Sequence, residues 1–357
     1  MTTAAWLQAW DSHGPHRTGT ECDDAGALWL AREAEILGAT VTFETWTLDR
    51  IDPIDCWLKT EAGRIEGVPV FDSPSTGPEG VAGPIAVVPL SPWSVYTEEY
   101  RALRRETGHS GLVIVCQGAE PGLALLNAEQ FRHPHGCPAI HVAHAPQSVP
   151  SRLVSHYRRI ATTAKNVVIH IPGRDRARPP VVAMTPRSSW WHSTSERGGG
   201  LVCWLETLRA LRMDPPVCDV VMTANSGHEL DHLGLDAFLA RRPGWDGPDG
   251  AIWVHFGANI GATGGQLSIQ SSDLDLRTAM QRALTAAGQP PDTIAPRHQV
   301  PNGETRDIHK NGGRYVTLVG TNPLFHLPRD RWPHAVAVRA IDRISAGAAA
   351  MVRALTR

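Results

Sequence analysis

The apolar residues in the second half of the chain alternate between short runs and helical patterns. Short apolar runs predict strands at residues 181–184, 218–224, 251–257 and 314–320. Segments with apolar residues at helical spacing follow at 200–213, 228–242 and 333–355. Strands that alternate with helices predict a mostly parallel sheet with helices on both faces.

The first half of the chain has a different pattern. Residues 20–38 begin with acids and carry apolar residues at helical spacing, which predicts a helix, and residues 41–48 alternate as a strand. From 51 to 172, short apolar runs are cut by Pro and Gly, which is typical of a β-rich unit with one or two helices. We therefore predict a three-layer α/β/α fold with a mixed, mostly parallel sheet at residues 1–50 and 173–357, and an inserted β-rich subdomain at 51–172.

Composition narrows the class of protein. The chain has 357 residues, of which 42% are hydrophobic and 20% charged, and this is enough for one large or two ordinary domains. A net charge of −2 without runs of like charge argues against nucleic-acid and membrane partners. The first residues lack a signal-peptide pattern, so we expect a cytoplasmic protein. The six cysteines form no CxxC pair, which disfavours disulfides and a cysteine zinc site.

Polar residues cluster in the segments that follow the predicted strands. In parallel sheets, ligands bind at the carboxyl ends of the strands. Four segments, TPRSSWWHSTSERGGG, NSGHE, GANIGATGG and TNPLFH, are therefore expected to meet at one edge. The candidate polar groups of this crevice are Arg187, His192, Glu196, Arg197, His228, Glu229, His232, Asn259 and His326.

One of these segments contains an apparent zinc-protease motif. Residues His228 to His232 read HELDH, which matches HExxH. The motif follows a strand and a Ser-Gly turn rather than lying inside a helix, and no later HxxGxxH extension follows. We therefore disfavour a zinc-protease helix here.

In their order along the chain, these segments resemble the superfamily of zinc exo-aminopeptidases, glutaminyl cyclases and glutamate carboxypeptidases. ERGGGLVCWLETLRAL lies where that family has D-N-x-S-G and a helix, and GHELDHLG lies on its G-E-E-x-G-x-x-G. FHLPRD matches the family's late His segment, and the 51–172 unit is similar to the protease-associated insert of some members. The resemblance implies the metal ligands Glu196, Glu229 and His326.

The departures from the family pattern suggest a single metal. Thr185-Pro186-Arg187 stands where H-x-D is expected, and a later Asp is lost near Asn259. These two missing residues serve one metal of the two-metal members. The resemblance therefore implies one zinc ion, or another divalent metal, in a site like that of the glutaminyl cyclases.

The leading functional hypothesis is hydrolysis of an amide or related C–N bond in a small, anionic or peptide-like molecule. His228, which replaces the family's catalytic Glu, would be the general base, because a histidine titrates near neutral pH. Arg187 and Arg197 would hold an anionic group or the oxyanion. The substrate would be bound by Trp190, Trp191, His192, Asn225 and Asn259.

Three alternatives remain open. An intramolecular cyclase would use the same fold and the same metal, although that family relies on an acid at the position of His228. A non-catalytic binding protein on an aminopeptidase fold would have lost its metals. In a third arrangement, Arg187 pairs with Glu196 and no metal is bound.

The protease-associated type of insert often contributes dimer contacts, so the resemblance of the 51–172 unit also allows a homodimer.

Overall fold

A computed structural model describes all 357 residues and contains one twelve-stranded sheet. The strands are β1 Val41–Thr60, β2 Gly63–Pro69, β3 Ile85–Leu90, β4 Gly111–Cys116, β5 Ala139–Val142, β6 Arg152–Ile171, β7 Val181–Pro186, β8 Val220–Asn225, β9 Ile252–Phe256, β10 Leu267–Ser271, β11 Thr293–Ile294 and β12 Arg314–Gly320. Their order across the sheet is β11-β10-β12-β9-β7-β8-β6-β1-β2-β5-β4-β3.

Eight α-helices accompany the sheet. They are α1 Thr3–Ser12, α2 Glu21–Ile36, α3 Glu98–Arg105, α4 Thr194–Met213, α5 Leu233–Ala240, α6 Leu274–Ala286, α7 Thr305–Lys310 and α8 Val338–Leu355. None of them is both long and apolar enough to cross a membrane.

The helices form the outer layers of a three-layer α/β/α arrangement. On one face, α1, α2, α4, α6 and α8 contribute to the largest buried apolar cluster, which includes Trp6, Trp10 and Trp204. On the other face, α5 and α7 pack on the sheet through Phe238 and Ile308. Burial of these large side chains is the main favourable contribution to folding. The predicted α/β/α fold with a mixed, mostly parallel sheet is confirmed.

Two long strands connect the central sheet to the β-rich unit. Strands β1 and β6 are each 20 residues long and pair antiparallel over almost their whole length, from Val41↔Ile169 to Lys59↔Arg152. One end of this ribbon pairs with β8, and β2 pairs with the other end. The β-rich unit thus continues the same sheet, and the predicted domain boundaries near 51 and 172 stay a prediction.

Several predicted elements need correction. The helix predicted at 228–242 begins only at Leu233, because Asp231 and His232 have left-handed backbone with φ of 57° and 55°. The last helix begins at Val338 rather than 333. Strand β1 continues to Thr60, past the predicted end at 48. Residues 267–310 carry no predicted element, but they form β10, α6, β11 and α7 in the structure.

The parallel strands β7, β8, β9 and β12 end at one edge of the sheet, and the four polar segments meet there as expected. The start of α4 is pressed against the loop that follows β9. A Cβ atom on Gly199 would lie 1.9 Å from the carbonyl oxygen of Ile260, and the Asn259 backbone N–H donates to the Glu196 carbonyl at 2.9 Å. Only glycine permits the start of α4 to lie so close to the loop after β9. This close packing places Glu196 and Arg197 at the edge of the sheet.

We predict that Gly199→Ala strongly destabilises the protein. The added methyl group collides with backbone that cannot rotate away, and overpacking of this kind costs about 3 kcal/mol or more. Thermal unfolding followed by circular dichroism measures the loss. Gly108→Ala is the matched control, because a Cβ there has no atom within 4 Å, and its melting temperature should be nearly unchanged.

Candidate functional site

The edge of the sheet holds a buried cluster of charged and imidazole groups. We call it the polar cluster and define it by its side chains, which come from α4, from the loops after β8 and β12, from β9 and from the start of α7: Glu196, Arg197, His228, His232, His255, Glu304 and His326. Each of these residues is at most 6% exposed. Burial of so many ionisable groups is costly unless they compensate one another.

Glu196 and Arg197 form the central ion pair. Arg197 Nη2 lies 2.8 Å from Glu196 Oε1, and Glu196 Oε2 accepts a hydrogen bond from Ser193. His326 Nε2 lies 3.4 Å from the same Oε1. Burial by itself would raise the pKa of the Glu196 carboxyl, but Arg197 and His326 outweigh burial and lower that pKa to about 2. Glu196 is therefore a carboxylate.

The Arg197 guanidinium still has free donors. Its Nε donates to the carbonyl of Ser188 at 2.7 Å, whereas Nη1 and Nη2 have no hydrogen-bond partner within the protein. The 2.8 Å contact to Glu196 is thus an ion pair without hydrogen-bond alignment. A buried guanidinium whose two terminal NH2 groups lack a hydrogen-bond partner is suited to hold an anionic or carbonyl oxygen.

His228 and Glu304 face each other across the polar cluster. His228 Nδ1 lies 3.7 Å from Glu304 Oε1, and neither atom has a hydrogen-bond partner. Burial, aided by the positive charge of Arg197, lowers the pKa of His228 well below its ordinary value. Burial also raises the pKa of Glu304 to about 7. The imidazole is therefore neutral, and a proton placed on it would need a negative partner such as the Glu304 carboxylate.

Two further histidines complete the polar cluster. The His232 ring lies 5.0 Å from that of His228, and its Nδ1 is 2.6 Å from Asp307. Although burial lowers the pKa of His232, the bond to Asp307 raises it above the ordinary value. His255 projects from β9, and burial lowers its pKa to about 3. The Nε2 atoms of both rings lack hydrogen-bond partners.

Glu229 lies next to His228 in the chain but has its own set of partners. Its Oε1 accepts from the backbone N–H and the hydroxyl of Thr18, at 2.9 and 2.6 Å. Its Oε2 accepts from the Ser188 hydroxyl at 2.5 Å. Burial raises the pKa of Glu229, and these bonds oppose the rise. Both carboxyl oxygens are therefore occupied by donors from the protein.

A segment of the β-rich unit covers the polar cluster. The carbonyl of Leu125 lies 2.6 Å from His326 Nδ1, and the backbone N–H of Ala128 donates to the Glu229 carbonyl at 2.9 Å. Glu129 pairs with Arg306 at 2.7 Å. We call residues 121–129 the covering segment. Its contacts contribute to the burial of the cluster.

Several solved structures share this architecture. A zinc aminopeptidase from Bacillus subtilis matches 99% of this chain and 94% of its own, with a TM-score of 0.78 and 14% identity. This chain has the zinc aminopeptidase fold. A peptidase M28 precursor from Shewanella amazonensis matches 99% of this chain and 93% of its own, with a TM-score of 0.77 and 14% identity.

A more distant match has a different chemistry. A glutaminyl cyclase from Bacteroides thetaiotaomicron, solved with N-acetylhistamine bound, matches 99% of this chain and 96% of its own. Its TM-score is 0.52 and its identity is 9%. No family model and no curated protein matches the chain.

The predicted metal ligands do not fit a metal ion in this arrangement. Glu196 and His326 are neighbours, but Glu196 already carries the Arg197 guanidinium, whose charge repels a cation. Glu229 is saturated by Thr18 and Ser188. Nowhere in the structure are three or more His, Cys, Asp or Glu side chains arranged to hold a metal ion.

Arg187 lies apart from the polar cluster. Its Nη1 is 2.6 Å from Asp23 Oδ1, and its guanidinium also donates to the carbonyls of Asp23 and Lys165. The alternative pairing of Arg187 with Glu196 is therefore wrong, because Asp23 from α2 takes Arg187 and Arg197 takes Glu196. Arg187 ties α2 and β6 to the sheet edge through its two terminal nitrogens.

The structure brings only some of the predicted substrate-binding residues to the site. Asn225 donates to Glu304 at 3.1 Å. Asn259 instead stabilises a turn through the carbonyl of Gly320 at 3.2 Å. His192 is half-buried, and its pKa is lowered by burial and by Arg331. Trp190 and Trp191 line a cavity next to the cluster.

Sequence reasoning missed four residues that shape the site: His255, Glu304, Thr18 and Asp330. Asp330 accepts the backbone N–H groups of Ser195 and Glu196 at 2.7 and 3.0 Å and so caps α4. Its place in FHLPRD, four residues after His326, was a usable signal. Glu304 follows an irregular stretch without periodicity, and Thr18 lies far away in the chain, so neither had a local signal.

We predict that Arg187→Met destabilises the fold by about 3–5 kcal/mol, because it leaves the Asp23 carboxylate buried without its cation. Chemical denaturation measures the loss. Arg132→Met is the matched control: the Arg132–Asp236 pair is exposed, so we expect a loss below about 1 kcal/mol. Equal losses in the two variants would contradict the structural role of Arg187.

Proposed function

We propose that this protein is a metal-independent hydrolase of an amide or related C–N bond in a small anionic molecule. The observation that carries the proposal is the Arg197 guanidinium, which is paired with Glu196 and has two terminal NH2 groups without a hydrogen-bond partner inside the polar cluster. A fixed positive charge thus lies among the residues that the family resemblance assigned to a metal. The fold supports a peptidase-like reaction only by analogy.

His228 would be the general base. Its imidazole is neutral, its Nδ1 is free, and the nearby Glu304 carboxyl would stabilise the imidazolium. Water attacks the carbonyl carbon and passes a proton to His228, while Arg197 donates hydrogen bonds to the oxyanion. The C–N bond then breaks as His228 returns the proton to the leaving amine. One water is consumed, and an acid and an amine are formed.

A second candidate function is binding without catalysis. It is favoured by the burial of every member of the polar cluster and by the covering segment, which holds His326 and Glu229 through backbone bonds. Catalysis requires this segment to open, because water and substrate must reach His228. A binding protein would enclose its ligand in the same space. Turnover distinguishes the two functions.

The test uses the purified protein with N-acetylglycine and N-benzoylglycine, with products identified by mass spectrometry. We expect products that have gained one water, unchanged turnover after treatment with a chelator, and no stoichiometric metal in elemental analysis. His228→Gln should lower kcat by about 100-fold or more, as expected for loss of a general base. Arg197→Gln should lower kcat/KM by a similar factor.

Controls separate loss of chemistry from loss of fold. Arg132→Gln makes the same change at an exposed arginine outside the site and should leave kcat/KM unchanged. Circular dichroism confirms that each variant is folded. Stoichiometric zinc together with loss of turnover on chelation would contradict a metal-independent site. Binding of either compound without any turnover would favour the second candidate.

A further inference from the structure

The His232 ring has a carboxylate at one nitrogen and no partner at the other. Its Nδ1–H donates to Asp307 Oδ2 at 2.6 Å, and its Nε2 has no hydrogen-bond partner within the protein. The His232 side chain is 1% exposed, whereas that of Asp307 is 33% exposed. When a carboxylate orients an imidazole through one ring nitrogen, the other nitrogen remains available for proton transfer.

Asp307 is a suitable partner for a charged imidazole. Burial by itself would raise the pKa of the Asp307 carboxyl, but the hydrogen bond from His232 outweighs burial and lowers that pKa. Asp307 is therefore a carboxylate. Its neighbour in α7, Arg306, pairs with Glu129 of the covering segment at 2.7 Å, so the Asp307 carboxylate is left to His232.

The two neighbouring imidazoles of the polar cluster have opposite surroundings. The rings of His228 and His232 lie 5.0 Å apart. His228 Nδ1 has no carboxylate within hydrogen-bond distance, and burial lowers the pKa of His228 well below its ordinary value. Burial also acts on His232, but the bond to Asp307 raises the pKa of His232. Where surroundings push the pKa values of two neighbouring groups apart, one is suited to act as base and the other as acid.

The count of positive charges favours coupled proton transfer. If His228 alone gained a proton, its new charge would lie near Arg197 and near a protonated His232, and like charges repel strongly in a buried site. If His232 loses a proton as His228 gains one, the number of positive charges in the polar cluster stays the same. Both transfers together therefore cost less than the first one alone.

We propose that His232 and Asp307 form an acid–base dyad in which His232 Nε2 gives its proton to the leaving nitrogen. This inference rests on the proposed function, which it deepens by assigning the second proton transfer. The water oxygen bonds to the carbonyl carbon, and one water proton goes to His228. The C–N bond then breaks, its electron pair stays on nitrogen, and nitrogen takes the His232 proton. The proton on His228 then passes to His232, which restores both imidazoles.

The pH dependence follows from the charged groups around His232. These come from α7, from the loop after β8, from β9 and from the covering segment, and they are Glu304, Arg306, Asp307, His228, Asp231, His255 and Glu129. Asp307 and Glu129 favour the protonated ring, and Arg306 opposes it. Ionisation of Glu304 with rising pH adds a negative partner for His228 and so favours turnover. Loss of the His232 proton with rising pH removes the acid and lowers turnover.

NMR of histidine-labelled protein tests the dyad without any turnover. The His232 signals are those that disappear in His232→Asn, a substitution chosen because asparagine tolerates the left-handed backbone at φ 55°. We expect the His232 ring to keep its second proton to a higher pH than the His228 ring. Asp307→Asn should move the His232 titration to lower pH, because an amide does not stabilise the imidazolium as a carboxylate does. Asp236→Asn, at an exposed aspartate, is the matched control and should leave it unchanged.

Kinetics with N-acetylglycine test the transfer itself. In the unmodified protein, kcat/KM should fall at high pH as His232 loses its proton, and Asp307→Asn should move this fall to lower pH. His232→Asn should abolish the fall and lower kcat and kcat/KM equally, by about 100-fold, as expected for loss of a general acid. His309→Asn changes another histidine of α7, which bonds to Tyr315 outside the polar cluster, and should leave kcat unchanged.

The outcomes separate this inference from the proposed function. The dyad is overturned, with hydrolysis intact, if the His232 titration is the same in the unmodified protein and in Asp307→Asn. It is also overturned if both variants keep the unmodified protein's fall in kcat/KM at the same pH. Absence of hydrolysis in the unmodified protein overturns the proposed function and the transfer to the leaving nitrogen, whereas the pairing of His232 with Asp307 is then decided by the NMR titration.

Discussion

The ion pair between Glu196 and Arg197 is the interaction on which the site depends. Two opposite charges lie on adjacent residues in the first turn of α4. The side chains of Glu196 and Arg197 are only 1% and 0% exposed. Because each charge would be costly alone, each requires further partners. Ser193 and His326 approach Glu196, and the Ser188 carbonyl accepts from Arg197. The loops after β7 and β12 are thereby drawn to the same point.

The β-rich unit also affects this ion pair, because one of its segments covers the polar cluster. Its covering segment contacts His326 and Glu229 and so contributes to the burial of the polar cluster, and charges interact more strongly in a buried site. This explains why the pKa of Glu196 falls to about 2 while that of Glu304 rises to about 7 within one cluster. Glu196 has a guanidinium at 2.8 Å, whereas the neighbours of Glu304 are the Asn225 amide at 3.1 Å and the neutral His228 imidazole at 3.7 Å. Proximity to a cation decides which carboxyl is ionised.

The sequence predicts the fold better than it predicts the site. Alternating strands and helices require their loops to meet at one edge, so the approach of segments 187–197, 225–229 and 326 follows from topology. The partners of each side chain do not follow, because they depend on rotamers and on distant residues. Thr18 bonds Glu229 from a position 211 residues earlier in the chain, and no periodicity marks such a donor. Nothing in the sequence distinguishes the roles of Arg197 and Arg187. In the structure, Arg197 pairs with Glu196, whereas Arg187 pairs with Asp23.

A residue type kept at a family position is therefore weak evidence for the family's chemistry. Glu229 has the type expected of a metal ligand, yet a backbone N–H and two hydroxyl groups occupy both of its oxygens. For it to bind a cation, Thr18 and Ser188 would have to release it, and both hydroxyls also accept the backbone N–H of Gly227. The same bonds that keep Glu229 buried also hold the turn that presents His228. Releasing Glu229 to a metal would leave both hydroxyls without their carboxylate acceptor, next to the turn that presents His228.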